Sequence, residues 1–355
     1  MGGHMNESDK QSQVTPRIVC VGSNQESENV LRGLIAANAH LVGLVTLPPA
    51  QSTGISDYVD LHPLCEQHGI ETVDTTNINS ETTLSEIQAL EADYIYTLGW
   101  SQIFGEDLLN IPRKYVVGSH PSPLPIGRGR APVPWTILQG NSESAVTLFR
   151  MDAGVDSGPI LCQKWFEVSR DAYAEDVYGQ VTNNLREGFV ELYEAHASGQ
   201  PIMEIEQAAK IATHRGKRTP ADGHIDFRQP VAQIAKLIRA VSRPYPGAYL
   251  YYQGQRLTVW KCNLDNIPAY IGTTGQILLR QHQSLLVQAG DLPMWISEIE
   301  GDDGPIDTRQ FRVGQKFGFA VEDEIFQMRL EIERLREELR QLKSADVDTT
   351  WRKSA

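Results

Sequence analysis

The sequence predicts an α/β fold, in which a parallel sheet with helices is followed by a smaller β-rich region and a helix. Three observations lead to this prediction. Short apolar runs alternate with helical patterns up to about residue 200, short β-like runs separated by turns occupy residues 248–299, and an apolar repeat begins at Ile325. Strands alternating with helices are typical of parallel βαβ units, and short, closely spaced strands favour a small barrel or sandwich.

The first predicted domain, residues 16–202, has strands and helices in alternation. Such a pattern indicates a parallel sheet covered by helices on both faces. Its strands are short apolar runs, predicted at residues 17–22, 41–46, 70–73, 94–98 and 115–117, with 145–150 and 159–166 as an antiparallel return. Its helices have apolar residues at helical spacing, and they are predicted at residues 28–37, 57–68, 82–90, 133–138 and 174–197.

The second predicted domain, residues 203–320, has one helical stretch, at residues 231–240. The rest consists of β-like runs, which are predicted at residues 248–252, 257–262, 275–280, 284–289 and 295–299. Residues 1–15 are interpreted as a tag remnant and a disordered polar stretch, and residues 346–355 as a loose tail.

A coiled-coil helix is predicted at residues 321–345. Six apolar residues with spacings of 3, 4, 3, 4 and 3 form its a/d seam: Ile325, Met328, Ile332, Leu335, Leu339 and Leu342. In a parallel pair each g glutamate faces the next e cation, which gives the pairs Glu331 with Arg336 and Glu338 with Lys343. The pattern therefore predicts a homodimer through a two-stranded coiled coil, and the alternative is a single amphipathic helix packed on its own domain.

Composition narrows the class of protein. A formal net charge of -13 argues against a large nucleic-acid footprint, which needs a basic face. No apolar run is long enough to predict a membrane span, and no signal peptide is recognised. Four widely separated cysteines suit reduced, packed thiols. We therefore expect a cytoplasmic protein that binds neither membranes nor nucleic acid.

His120 lies where the fifth predicted strand gives way to a loop rich in proline and glycine. Ligands of open parallel sheets bind at the carboxyl ends of the strands, which favours a catalytic role over the structural role that a lone histidine often has. Later in the loop, Arg128 and Arg130 can pin the chain or meet an anion.

A second polar loop follows the predicted strand at residues 145–150. It contains Asp152 and Asp156, and either carboxylate can orient His120 or set its pKa. Both aspartates also stand in ordinary turn sequences, so the residues alone do not separate the two.

Three other patterns give weaker indications. Gly22-Ser-Asn24 is not the glycine pattern of a dinucleotide site. His62, Cys65 and His68 spread around a helix and lack a fourth ligand, so no metal is predicted. The basic run His214-Arg-Gly-Lys-Arg218 can meet a substrate diphosphate, with a solvated linker as the alternative.

Several motifs in order along the chain resemble one enzyme family. In the first domain they are His120-Pro-Ser-Pro-Leu-Pro, Arg128-Gly-Arg-Ala-Pro, Trp135, Gly140, Val146-Thr-Leu and Asp156-Ser-Gly. In the second they are Arg218-Thr-Pro-Ala-Asp-Gly-His-Ile-Asp-Phe227, Arg239-Ala-Val and Pro244-Tyr-Pro-Gly-Ala248. Over residues 16–320 the chain is similar to the N10-formyltetrahydrofolate-dependent formyltransferases, which include the nucleotide-sugar N-formyltransferases and methionyl-tRNA formyltransferase.

The resemblance implies a Rossmann-like parallel-sheet formyltransferase domain followed by a small open β-barrel (OB-like) domain. It also implies a catalytic trio of Asn, His and Asp, in which the His falls on His120 and the Asp on Asp156. Gly118 stands where the family has Asn, so we expect the hydroxyl of Ser119 or backbone N–H groups as substitutes. A homologue that binds folate with impaired catalysis is the alternative.

The same resemblance implies where the ligands bind. The folate co-substrate is expected against two loops, through Leu98, Gly99, Trp100, Ser101, Met151, Asp152 and Asp156. The acceptor is expected at Ser122, Pro123, Arg128 and Arg130. The predicted acceptor is a dTDP- or UDP-linked amino sugar used for lipopolysaccharide or another surface polysaccharide, and methionyl-tRNA is the alternative.

Overall fold

The computed structural model describes residues 15–52, 57–318 and 321–351. The described residues fall into two compact units. The first comprises the chain up to His224 with Ala232–Ala248 and Trp260–Cys262, and the second holds the remainder. Most of residues 1–15, which were interpreted as a tag and a disordered stretch, lie outside the described residues.

The first unit contains a seven-stranded sheet. Its strands, with two short ones, are β1 (Ile18–Val21), β2 (Leu41–Thr46), β3 (Thr72–Asp74), β4 (Tyr94–Thr97), β5 (Tyr115–His120), β6 (Arg128–Gly129), β7 (Glu143–Arg150), β8 (Ile160–Glu167) and β9 (His214–Arg215). The sheet order is β3-β2-β1-β4-β5-β7-β8, and β6 pairs separately with β9. β1 to β5 pair in parallel, whereas β7 runs antiparallel to β5 and β8. The predicted parallel sheet with an antiparallel return is confirmed.

Seven α-helices occur in the described residues before the second sheet, and all but the first residue of the last one lie in the first unit. They are α1 (Gln25–Ala36), α2 (His62–His68), α3 (Glu81–Ala89), α4 (Glu106–Leu109), α5 (Pro132–Gln139), α6 (Ala174–Ser198) and α7 (Val231–Ala240). Ile87 of α3 packs in one core with Val19 and Val45, while α1 packs against α6. The residues of β1 are completely buried because both faces of the central strand are covered.

Several predicted boundaries were wrong, for local reasons. α1 begins three residues earlier than predicted, because Asn24 and Ser27 form a reciprocal cap at its N-terminus. α2 begins five residues later, at His62, with Pro63 in its first turn, where a proline costs no hydrogen bond. β5 continues to His120 because its last residues pair with β7, Gly118 opposite Phe149 and His120 opposite Thr147.

The second unit contains an antiparallel sheet and a long helix. Its strands, two of which have residues in the first unit, are β10 (Ala248–Tyr252), β11 (Gln255–Asn263), β12 (Ile277–Gln281), β13 (Ser284–Gln288), β14 (Pro293–Gly301) and β15 (Gly304–Pro305). The order is β10-β11-β14-β13-β12, with β15 on β14. The rings of Tyr252, Phe311 and Phe317 pack together in this unit, and Phe317 meets the other two edge to face.

The long helix α8 (Val321–Trp351) contains the predicted seam. Every seam residue is exposed in the single chain, from 43% for Ile325 to 68% for Leu342. The helix also extends six residues into the region predicted as a loose tail. Across the described part of the chain, no helix is long and apolar enough to cross a membrane.

Candidate active site

His120 ends β5 with its imidazole buried, only 5% exposed. Its Nε2 lies 2.8 Å from the carbonyl oxygen of Gly127, and its Nδ1 lies 3.7 Å from Oδ2 of Asp156. A carbonyl only accepts hydrogen bonds, so Nε2 carries the proton in the neutral ring. Nδ1 is then the basic atom, and it faces a carboxylate.

Burial lowers the pKa of His120, and the guanidinium of Arg215 adds to this effect, whereas the carboxylate of Asp156 opposes it. The imidazole is therefore neutral near pH 7. When Nδ1 takes up a proton, Asp156 is the group that stabilises the resulting cation. The pair can thus accept a proton, hold it and return it.

The Asp156 carboxylate is held by the loop that follows His120. The backbone of Asp156 has φ of 52°, in the left-handed region, and its Oδ2 accepts the N–H of Gly129 at 2.8 Å. By contrast, the carboxylate of Asp152 accepts from Gly154 N and Ser157 Oγ, so it closes a turn. Of the two aspartates that the residue pattern alone does not separate, Asp156, to which the family resemblance points, is the one beside His120.

The loop after His120 is fixed by internal hydrogen bonds. Ser122 Oγ donates to the carbonyl oxygens of Ile126 and Gly127, and Thr147 Oγ1 donates to the Ser122 carbonyl. Ser122 is completely buried and Pro123 half-buried. The hydroxyl of Ser122 therefore supports the loop from inside.

The two arginines of this loop have different surroundings. Arg128 is buried, and its Nε and Nη2 donate to Oε1 of Gln207 at 3.1 and 2.7 Å. Arg130 is exposed. Arg130 is thus the one whose guanidinium is open to a ligand from solvent.

At Gly118 the space for a side chain is already filled. A Cβ there would lie 2.7 Å from Cζ of Phe149 and 2.8 Å from Cγ of Met151. These apolar atoms lie on the same face of β5 as His120, because alternate residues of a strand share a face.

Ser119 lies on the opposite face of β5 from His120. It pairs with Leu148, whose side chain points toward Gly188 of α6, and its Oγ donates to the carbonyl oxygen of Thr97 at 2.9 Å. This geometry does not place the Ser119 hydroxyl beside the imidazole, as the expected substitution for Asn requires.

The loop after β4 runs beside the start of α1. Leu98 is buried, Gly99 has φ of 82°, and a Cβ on Gly99 would lie 2.8 Å from both Asn24 Nδ2 and Glu26 Oε2. Trp100 is half-buried with an indole N–H that has no hydrogen-bond partner among the described residues, and Ser101 is exposed. On the neighbouring loop Met151 accepts a weak hydrogen bond from Thr97.

Three functional candidates carry little or no sequence signal. Gln207 stands in no recognisable motif, Glu26 in none either, and Arg215 only in the short basic run that begins at His214. Arg215 is buried and holds the carbonyl of Pro132 and the side chain of Gln139. Burial, with a contribution from Asp57, raises the pKa of Glu26 to about 7. All three depend on tertiary contacts, which a single sequence does not display.

A cavity of about 240 Å³ lies at the far end of the loop that begins at His120. Its lining includes Ala131, Pro134, Arg218, Pro220, Tyr245 and Pro246. The guanidinium of Arg218 lies 5.3 Å from the ring centre of Trp135. Burial, reinforced by the carboxylates of Glu26 and Asp57, raises the pKa of Tyr245, which therefore stays a neutral hydroxyl.

Two family models match the chain: formyl transferase over residues 7–192, and formyl transferase, C-terminal domain, over residues 217–315. The chain belongs to the formyl transferase family. Its enzyme class is therefore one-carbon formyl transfer. Methionyl-tRNA formyltransferase of Caldanaerobacter subterraneus subsp. tengcongensis is 27% identical over 303 residues, which are 84% of this chain and 96% of that protein.

Solved structures with a similar fold include an N-formyltransferase from Helicobacter canadensis in complex with folinic acid and dTDP-3-aminofucose. That likeness has a TM-score of 0.59 at 18% identity and covers 80% of this chain and 99% of the other. HypX from Aquifex aeolicus gives 0.61 at 15% identity, covering 81% of this chain and 45% of HypX. This chain thus spans less than half of HypX, and these likenesses concern the fold alone.

Proposed function

We propose that this formyltransferase transfers a formyl group from N10-formyltetrahydrofolate to the amine of a dTDP- or UDP-linked amino sugar for a surface polysaccharide such as lipopolysaccharide. The observation that carries the proposal is the buried imidazole of His120, at the carboxyl end of β5, with the partly buried carboxylate of Asp156 beside it. Its acid–base chemistry is what an amine needs in order to attack a formyl carbon.

In the proposed mechanism Nδ1 of His120 accepts the proton that the attacking amine loses, while Gly127 holds Nε2–H. Asp156 stabilises the imidazolium. His120 then returns the proton toward the leaving nitrogen as the bond between that nitrogen and the formyl carbon breaks. N10-formyltetrahydrofolate, when bound, supplies the formyl carbon and accepts this proton.

The folate is proposed to lie against the loops that follow β4 and β7. The residues assigned to it are Leu98, Gly99, Trp100, Ser101, Met151, Asp152 and Asp156. The positive φ of Gly99 supports this assignment, because a backbone without Cβ allows a ring to approach closely.

The acceptor is proposed to extend from His120 along the loop to the cavity beside Ala131. Ser122, Pro123 and Arg128 shape this path, and Arg130 offers an exposed guanidinium. Arg218 in the cavity wall is suited to a diphosphate, and the prolines and Tyr245 to the flat face of a base. The similar fold that binds dTDP-3-aminofucose supports this choice of acceptor.

Methionyl-tRNA is the second candidate acceptor, because a relative 27% identical over most of the chain bears that name. A net charge of -13 argues against it, since tRNA binding draws most of its affinity from phosphate contacts.

We also propose that the antiparallel sheet of the second unit is the small OB-like barrel, and that α8 forms a parallel coiled coil with a second copy of the chain. The exposed seam from Ile325 to Leu342 supports the pairing, because a soluble protein rarely leaves such a stripe uncovered. The complementary charges at e and g favour the parallel arrangement.

The deciding experiment is a turnover assay with N10-formyltetrahydrofolate and a panel of dTDP- and UDP-amino sugars. We expect transfer to one sugar, with kcat reduced 10²- to 10⁴-fold by His120→Gln and by Asp156→Asn, the range typical of general acid–base groups. His68→Gln, at the exposed end of α2, is the matched control and should retain activity.

Transfer to methionyl-tRNA and to none of the sugars would favour the second candidate. Absence of transfer to either acceptor, with folate still bound, would indicate a homologue that binds without catalysis.

A further inference from the structure

The side chain of Gln207 links the Asp156 loop to Arg128. Its Nε2 donates to the carbonyl oxygens of Asp156 and Gly158, at 2.9 and 2.7 Å. Its Oε1 accepts from Nε and Nη2 of Arg128. The one amide therefore makes four hydrogen bonds and uses both of its N–H groups and both lone pairs of its oxygen.

This set of partners fits only an amide in one orientation. The Nε2 side meets two carbonyls, which only accept, and the Oε1 side meets a guanidinium, which only donates. In a flipped amide, Oε1 would face the two carbonyl oxygens and the NH₂ group would face the guanidinium, so none of the four hydrogen bonds could form. The main chain beside it is fixed independently, because Ile205 and Ile160 exchange two backbone hydrogen bonds, at 2.8 and 2.9 Å. Gln207 is thus presented on a rigid support.

The backbone that Gln207 holds is the backbone that aims Asp156. Asp156 is in the left-handed region, where a residue with a side chain is strained and depends on its surroundings. Within the described residues, His120 is faced by two charged groups, Asp156 and Arg215. Of these two groups, only Asp156 belongs to the backbone segment to which Gln207 is hydrogen-bonded.

We propose that Gln207 is a positioning residue for formyl transfer, which acts by holding the Asp156 carboxylate against Nδ1 of His120. The proposal rests on the proposed function of the His120–Asp156 pair. Gln207 joins the Asp156 loop to Arg128. Loss of its amide is therefore expected to move the Asp156 carboxylate away from the imidazole, although the side chains of His120 and Asp156 are both still present.

The test is the titration of the His120 imidazole by NMR, which requires no turnover. The variants are Gln207→Met, Asp156→Asn and the double variant, and the His120 resonance is assigned by its loss in His120→Gln. We expect Gln207→Met to lower the pKa of His120, because the carboxylate that raises it moves away. In the Asp156→Asn background the same exchange should give no further shift.

Gln163→Met is the matched control. Gln163 is also half-buried, and its Nε2 donates to the carbonyl oxygen of Leu124 and to Oγ1 of Thr147, neither of which belongs to the Asp156 loop. This variant should leave the His120 pKa unchanged. In assays of the wild-type reaction, Gln207→Met should lower kcat by about 10- to 100-fold, as small misplacements near reacting groups do.

An unchanged His120 titration in Gln207→Met would overturn the proposal, as would equal shifts with and without the Asp156 carboxylate. If no acceptor turns over in the wild type, the proposed function fails while the titration still decides the role of Gln207.

Discussion

At the scale of single residues, Gly118 separates this chain from the trio that its family resemblance implies. Gly118→Asn should destabilise the protein by about 1–3 kcal/mol, the usual cost of overpacking, because Phe149 and Met151 already fill the space. Urea unfolding measures the change. Gly179→Asn is the control, since a Cβ at Gly179 has no atom within 4 Å.

The same measurement in a Phe149→Leu background tests the cause. If the aromatic ring is the obstacle, the cost of Gly118→Asn falls there, and the two substitutions are not additive. If Gly118→Asn lowers the unfolding free energy equally in both backgrounds, the ring of Phe149 is not the obstacle, and another contact such as Met151 is.

Residue-scale prediction from sequence succeeded in choosing a histidine that the structure buries against a carboxylate. The residue pattern alone could not choose between Asp152 and Asp156, because both stand in turn sequences. The family resemblance pointed to Asp156, and the fold places that carboxylate beside His120. The residue pattern also could not find Gln207, since this glutamine belongs to no recognisable motif in the sequence. Its four hydrogen bonds go to three residues in two distant segments of the chain, Arg128 in one and Asp156 and Gly158 in the other.

At the scale of elements, His196 joins the end of α6 to two strands. Its ring nitrogens lie 2.7 Å from the hydroxyls of Tyr96 on β4 and Tyr115 on β5, and it stacks on Tyr94. Burial lowers the pKa of His196 to about 4. The unfolded chain therefore binds more protons than the native protein between pH 6.5 and 4, so this contribution to stability is present above pH 6.5 and is lost as the pH falls.

His196→Phe should consequently destabilise the protein most above pH 6.5. The difference in unfolding free energy from the wild type should shrink toward pH 4, by at most about 3 kcal/mol for a shift of this size, and by less because the ring keeps some contact with solvent. Chemical unfolding at several pH values measures it. A difference that is constant with pH would mean that His196 acts only through packing.

The order of strands and helices around β1 was predicted accurately, because runs of apolar residues determine it. The ends of these elements were predicted less well, because single contacts determine where a strand or helix stops. β5 was predicted to stop at Val117 because Gly118 and the prolines beyond it suggest a loop, yet pairing with β7 extends the strand through His120. A cross-strand partner from another part of the chain is not visible in a local pattern.

At the scale of the whole molecule, the proposed pairing of α8 predicts the oligomeric state. Leu335 and Leu330 are almost equally exposed, at 46% and 45%, and lie on the same helix. Only Leu335 belongs to the a/d seam, whereas Leu330 falls at f, away from a partner. Leu335→Asp should therefore give a species of one chain mass in light scattering, where the wild type and Leu330→Asp give two. Each chain carries its own His120 and Asp156, so Leu335→Asp should keep its turnover although it no longer pairs. If the wild-type protein itself has the mass of one chain, the proposed pairing is wrong.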